Sequence, residues 1–256
     1  AFQSSMYDRF SISQRIAVFD QVTPQALQDF IHRVFEVTKV QSLIHGNVST
    51  KTAVEVNDLL LRYLKSETLT KMPLGRIVKL PEPGVHCVVY EEEQIDPEAV
   101  NSAIYYYFQL GCRSKELDTL TELYGHIVSE PAFDELRTKQ QLGYIVWVSV
   151  RTVDCTKGIA VVIQSPSHDP IYLQHRSYEF LVSFVQTLKD LTEEQFAAHV
   201  EGLITIKQQK YREMVKESNF YWAEIVGCRD TFDKDKVMIE RLQKITKEEL
   251  IEFAER

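Results

Sequence analysis

Three segments rich in β-branched and aromatic residues, 102–111 ("SAIYYYFQLG"), 143 to about 152 and 158–165 ("GIAVVIQS"), precede roughly 90 residues in which only helical periodicity recurs. Side chains of that kind suit a pleated ladder. Strands joined partly by hairpin-length loops, with the helices gathered behind them, do not fit an alternating βαβ sheet. They define an α+β fold with a mainly antiparallel sheet packed against helices. A fourth strand-like run, "VHCVVYEE", lies just upstream at 85–92.

A chain of 256 residues has room for one large domain or two smaller ones. Its net charge of -8 argues against a dedicated nucleic-acid binder. No apolar run approaches the roughly 20 residues that span a bilayer, and the N-terminus lacks a signal-peptide pattern. Cys87, Cys112, Cys155 and Cys228 are widely spaced, without a CxxC pair. Such cysteines read as free thiols in a reducing compartment, so a cytoplasmic location is expected, with no membrane partner.

The first 70 residues alternate helix, strand and helix. Thr23 followed by Pro24 is a helix start, because the hydroxyl caps and the proline sits where no N–H is needed. Leu27, Phe30, Ile31, Val34 and Phe35 then recur at helical spacing. "KVQSLIHGN" (39–47) reads as a short buried strand ending at Gly46, and Ala53, Val56, Leu59, Leu60 and Tyr63 line the next helix. A connecting segment rich in proline and glycine follows at 69–84. Further on, a helix carries Leu117, Leu120, Tyr124, Ile127 and Val128 on one side. Asp169-Pro170 opens another, striped by Phe180, Leu181, Phe184, Val185 and Leu188. Thr192 with Gln195, and Thr246 with Glu249, form capping boxes.

The chain carries no self-sufficient catalytic set. Seven histidines are present, yet neither HExxH nor HxxEH occurs, so no rigid element presents paired zinc ligands. His126 and Glu130 are four apart, but Pro131 is expected to interrupt their helix. In "HC" at 86–87, strand alternation sends the two side chains to opposite faces. There is also no G-x-S-x-G elbow and no phosphate-cradling glycine loop. No metal site and no cofactor are expected in this chain.

Two segments remain. In "EPAFDELRTKQQLGYIV" (130–146), Pro131 suits a helix first turn and Gly143 the left-handed position that ends a helix. Tyr144 would then begin a strand, with Val146, Val148 and Val150 on its own face. Arg137 and Tyr144 could converge over this junction. Arginine offers a fixed fork of donors to carbonyls or carboxylates, and a tyrosine hydroxyl can donate to a developing oxyanion. The residues alone favour the plainer reading, an exposed arginine and a tyrosine at the core edge. In "TIKQQKYREMVK" (205–216), Lys207, Lys210 and Arg212 fall close together if the helix bearing Phe196, Val200 and Leu203 continues. They would form an anion-binding patch or an ordinary solvated face.

The segment "SEPAFDELRTKQQLGYIV" (129–146) resembles the one that marks the C-terminal half of the insulysin (insulin-degrading enzyme) branch of the M16 zinc metallopeptidases. The resemblance continues in "SLIHGNVS", "YYYFQLG", "VIQSPSHDPIYLQHRSYEFL", "LTEEQF" and "YWAEI", and spans nearly the whole chain. "LRTKQ" and "LGY" are shared with the nardilysin branch. The resemblance implies LuxS/metallopeptidase-like α+β domains: 1–70 as the C-terminal part of a third domain, 71–84 as connection and 85–256 as a fourth. It implies an N-terminal half of the same polypeptide that holds Zn2+ through HxxEH, closing with this half around peptide substrates. Arg137 and Tyr144 match the pair that binds the peptide and stabilises the tetrahedral intermediate. Lys207, Lys210 and Arg212 fall where the family binds ATP or another polyanion, although Glu213 and Ile206 stand where it has a lysine and an arginine. Homo-oligomers are compatible with the resemblance. The alternative within the same fold is a catalytically silent scaffold or peptide-binding subunit.

Overall fold

The computed structural model describes residues 10, 12–70, 77–78, 98, 100–227, 229 and 231–255. The expected strand at 85–92, most of the connection at 69–84, Cys87 and Cys228 lie outside them. Two compact units divide the chain: Ala1–Val78 with Lys210–Phe232, and Lys79–Gln209 with Asp233–Arg256.

The first unit contains α1 (Ile12–Ala17), a 3-10 turn (Phe19–Gln21), α2 (Pro24–Val34), β1 (Val37–Thr38), α3 (Thr50–Leu64), β2 (Glu67–Thr68) and, later in the chain, α7 (Met214–Val226). Thr23 caps α2 by accepting from the Ala26 N–H, with Pro24 in the first turn. Ser49 caps α3 in the same way through Thr52. β1 and β2 pair in parallel, Val37 with Glu67 and Thr38 with Thr68. The strand expected over 39–47 is therefore not formed. Those residues have the apolar pattern of a strand but no ladder partner among the described residues, and an isolated strand leaves its backbone groups unpaired. A sheet of two short strands cannot cover the stripes of α2 and α3, whose Leu27, Phe30, Leu59 and Leu60 stay exposed. His45 Nδ1 lies 2.7 Å from the Ser218 hydroxyl, and its ring packs edge-on against Tyr221.

The second unit contains β3 (Ser102–Cys112), α4 (Lys115–Ala132), a π-helical turn (Phe133–Lys139), β4 (Ile145–Val153), β5 (Thr156–Ser165), α5 (Pro170–Asp190), α6 (Glu193–Gln208), α8 (Lys234–Leu242) and α9 (Lys247–Glu255). The strands form an antiparallel sheet in the order β3-β5-β4. Register places Ile104, Ile163 and Val146 side by side, then Tyr106, Val161 and Val148. That face packs against Leu123, Tyr124, Ile127 and Val128 of α4 and Phe180 and Phe184 of α5, forming the core. On the opposite face Tyr105, Val162 and Trp147 align, with the Arg151 guanidinium over the Tyr105 and Trp147 rings. Both capping boxes are made: Gln195 and Thr192 bond reciprocally, as do Glu249 and Thr246.

Among the described residues of this unit, one charged side chain is buried. Lys157 on β5 is buried, and its ammonium is 2.9 Å from Glu122 Oε1 on α4, while Lys207 approaches the other oxygen at 3.3 Å. No described helix is long and apolar enough to cross a membrane. Cys112 and Cys155 are free thiols.

Candidate peptide-binding site

Pro131 does not start a helix; it lies inside α4, which runs through it to Ala132. Proline has no N–H to give the Ile127 carbonyl, so the regular ladder is broken there. The chain responds by widening rather than ending. Residues Phe133–Lys139 adopt a π-helical turn, and the Gln140 N–H reaches back to the Glu135 carbonyl at 3.0 Å. Wide turns of this kind concentrate at functional sites. His126 and Glu130 thus share one continuous helix.

Side-chain bonds brace the turn. Gln140 donates to Glu135 at 2.9 Å and accepts from Arg176 of α5 at 2.9 Å. Lys139 lies 2.9 Å from Asp134 and 3.3 Å from Glu135. The Gln140 bond, more than the Lys139 charge, holds the Glu135 carboxyl below the usual carboxylate range.

The wide turn aims Arg137. Its guanidinium carbon stands 4.6 Å from the centre of the Phe133 ring and 5.6 Å from that of Tyr144. The two side chains proposed to converge do so, with Phe133 as a third member that sequence reasoning missed. The four-residue spacing of Phe133 and Arg137 was the available signal. The guanidinium lies over both rings, while its N–H fork finds no carboxylate among the described residues. Arg113, Arg176, Arg229 and Arg241, by contrast, are each paired with one.

Tyr144 sits one residue before β4 and is 81% exposed, with no hydrogen-bond partner for its hydroxyl among the described residues. The expected role of Gly143 needs correction. It is Gln141 that takes the left-handed conformation, at φ 53, and Gly143 has no positive φ. A Cβ on Gly143 would land on the Gln164 carbonyl oxygen, so glycine is needed for close approach to β5. That approach delivers Tyr144 to the edge of the sheet rather than onto its buried face.

The basic segment is not one helix. α6 ends at Gln208, Gln209 is extended, and α7 begins only at Met214. No proline or glycine marks this break; it falls where the chain passes from one unit to the other. Lys207 belongs to the second unit and is paired with Glu122, whereas Lys210 and Arg212 are exposed residues of the first.

Among the described residues, no group of three His, Cys, Asp or Glu side chains is placed to hold a metal. His126 and His199 come close, with ring centres 6.1 Å apart, but form a pair only. The donor set of a zinc site is missing from these residues.

Residues 123–222, which include the π turn, match the family described as PQQ synthase PqqF-like, C-terminal lobe domain 4. The fold is that of the pitrilysin crystal structure, with a TM-score of 0.78 at 18% identity over 96% of this chain and 26% of that one. Its homologues include insulin-degrading enzyme and nardilysin, which are M16 metallopeptidases. The chain is 32% identical to the human insulin-degrading enzyme over 240 residues, 91% of this chain and 23% of that protein. It is 34% identical to the A-factor-processing enzyme of Saccharomyces cerevisiae over 248 residues, covering 96% and 24% respectively. Human nardilysin matches at 29% over 253 residues, 97% of this chain and 21% of the relative. The chain spans about a quarter of the length of the curated relatives it matches.

Proposed function

We propose that this chain is the C-terminal, non-zinc part of an insulysin-like metalloendopeptidase that degrades short peptides inside a closed chamber. The zinc would be held by another part of the polypeptide, since the described residues offer no ligand set for it. This part contributes chamber wall and two groups that meet the substrate. Arg137 grips a peptide carbonyl with its uncommitted N–H fork, and the Tyr144 hydroxyl donates to the oxyanion that develops at the scissile carbon. The order of residues 1–70, 71–84 and 85–256 as end of a third domain, connection and fourth domain belongs to the same reading, as does a cytoplasmic location.

The observation that carries the proposal is the cluster of Phe133, Arg137 and Tyr144, which holds a half-buried cation beside an exposed phenol, neither with a polar side-chain partner among the described residues. A scaffold subunit gains nothing from such a pair. Steady-state kinetics of Tyr144→Phe in the assembled enzyme tests it. A fall in kcat supports the reading, and unchanged kcat assigns the chain to the scaffold class.

A further inference from the structure

Several helical hydroxyls in this protein are spent on their own backbone. Thr119, Thr121 and Ser177 each donate to the carbonyl four residues earlier, a common outlet for such a side chain inside a helix. Ser218 of α7 does otherwise. Its oxygen lies 2.7 Å from Nδ1 of His45, 173 positions away in sequence and in the same unit. Gly46 makes the contact possible. Its φ of 137 disfavours any side chain, and a Cβ there would come to 3.4 Å from the Met214 sulfur. The chain around Gly46 therefore lies down on α7 and brings the His45 imidazole to the serine.

The far side of the ring is held as well. His45 Nε2 lies 3.6 Å from Glu217 Oε2, and the Tyr221 hydroxyl donates to Glu217 Oε1 at 3.2 Å. The Tyr221 ring packs edge-on against His45. Its hydrogen bond to Glu217, and then the Glu217 charge, hold the Tyr221 phenol above its ordinary pKa, so it stays a donor. A carboxylate beside Nε2 draws the ring proton to that nitrogen and leaves the Nδ1 lone pair facing the serine hydroxyl. A hydroxyl within reach of a base, with the base oriented by a third group, is the arrangement that activates a serine. The two ring nitrogens are used in the reverse of the order seen in serine proteases, but both lone pairs lie in the ring plane and either can take a proton. The group is open to solvent: the His45 side chain is 27% exposed and that of Glu217 36%.

We propose that Ser218 is a nucleophile that accepts an acyl group from an activated ester, with His45 as its base and Glu217 as the residue that positions the base. This site uses neither Arg137 nor Tyr144, which belong to the other unit. In the step, the Ser218 oxygen bonds to the acyl carbon, and the bond from that carbon to the leaving oxygen breaks with its electron pair. The hydroxyl proton passes to His45 Nδ1, and the imidazolium so formed is stabilised by the Glu217 carboxylate. The imidazolium then gives the proton to the leaving oxygen or to water. The products are an ester on Ser218 and the free alcohol, with no change in oxidation state.

The test exposes the folded chain to p-nitrophenyl acetate and locates acetyl groups by mass spectrometry of its peptides over time. Ser218 should be acetylated well ahead of Ser114, an exposed hydroxyl that caps a helix and has no base beside it. In the urea-unfolded chain, where no serine has a positioned base, that lead should vanish. His45→Ala should slow acetylation of Ser218 about 10²-fold or more, the usual loss when a positioned base is removed. Imidazole added to His45→Ala should restore part of the lead, which a purely structural role for His45 does not predict. Glu217→Gln should slow the reaction by a smaller factor, since the amide stays at Nε2 without stabilising the imidazolium. Acetylation of Ser218 no faster than that of Ser114 in the folded wild-type chain overturns the proposal, whatever the variants do. So does a rate at Ser218 that His45→Ala leaves unchanged, or a loss in His45→Ala that imidazole does not repair at all. The comparison of the two serines is made within the wild-type chain, so folding of the variants does not enter it.

Discussion

The Lys157 ammonium lies 2.9 Å from Glu122 Oε1, across 35 positions of sequence, with the lysine side chain only 5% exposed. The pair joins β5 to α4 beneath the sheet. Burial by itself would raise the Glu122 pKa, but the Lys157 charge, the Lys207 charge and their hydrogen bonds together outweigh it and hold the carboxyl below its ordinary value.

Glu122→Gln should strand a buried ammonium and destabilise the protein by about 3–5 kcal/mol. Lys157→Met should cost distinctly less, since it removes the buried charge and leaves Glu122 with Lys207. Urea unfolding of both variants measures the difference, and a reversed order would contradict the pairing. Because the folded pKa is lowered, the contribution of Glu122 is present at neutral pH and lost as pH falls through that lowered value. The wild-type protein should lose stability below the ordinary glutamate range, and Glu122→Gln should flatten that acid limb.

In the assembled enzyme, Tyr144→Phe should lower kcat about 10²–10³-fold with little change in KM. The ring remains against Arg137, so the melting temperature should not move. Arg137→Ala should raise KM as well, since the guanidinium grips the peptide before and during reaction. Kinetics on a short fluorogenic peptide, with thermal melts alongside, separates the two effects.

Gly143→Ala places a methyl group on the Gln164 carbonyl oxygen, a backbone atom that cannot rotate away. Relief requires the start of β4 to shift from β5, at about 1–3 kcal/mol. Activity should fall further than stability, because the shift carries Tyr144 with it. Full activity in a Gly143→Ala enzyme would show that the close approach does not position the tyrosine.

His126 should titrate below the ordinary histidine range, chiefly through burial and secondarily through His199. In a pH series of NMR spectra, His199→Ala should therefore raise the His126 midpoint only part of the way. Complete restoration would make the neighbouring charge, rather than burial, the main cause.

Much of this architecture could be read from local sequence. The reciprocal caps at Thr192–Gln195 and Thr246–Glu249 were legible because a cap is complete within four residues. The strands over 102–111 and 158–165 announced themselves by β-branched and aromatic content, and Asp169-Pro170 by its capping chemistry. The convergence of Arg137 and Tyr144 was legible as proximity along the chain. What failed depended on partners far away. The strand expected over 39–47 had the right residues but no ladder, and Gly143 answers to Gln164 rather than to its own φ. The end of α6 at Gln208 follows the boundary between units, for which "IKQQKYREM" has no local signal. Neither Glu122 nor Lys157 belongs to any motif; only the packing of α4 on the sheet makes them a pair.

The wide turn at Phe133–Lys139 has one more implication. A π-helical turn is an α-helical turn carrying a surplus residue, and successive residues of an α-helix are rotated by about 100°. Deleting any single residue from 134–136 would let the segment relax into an ordinary helix and swing the guanidinium off the aromatic pair. Substitutions at the exposed Asp134 should be tolerated, whereas its removal should not. The constraint on this stretch is therefore its residue count as much as its chemistry, and loss of one codon would silence the site while leaving the surrounding fold intact.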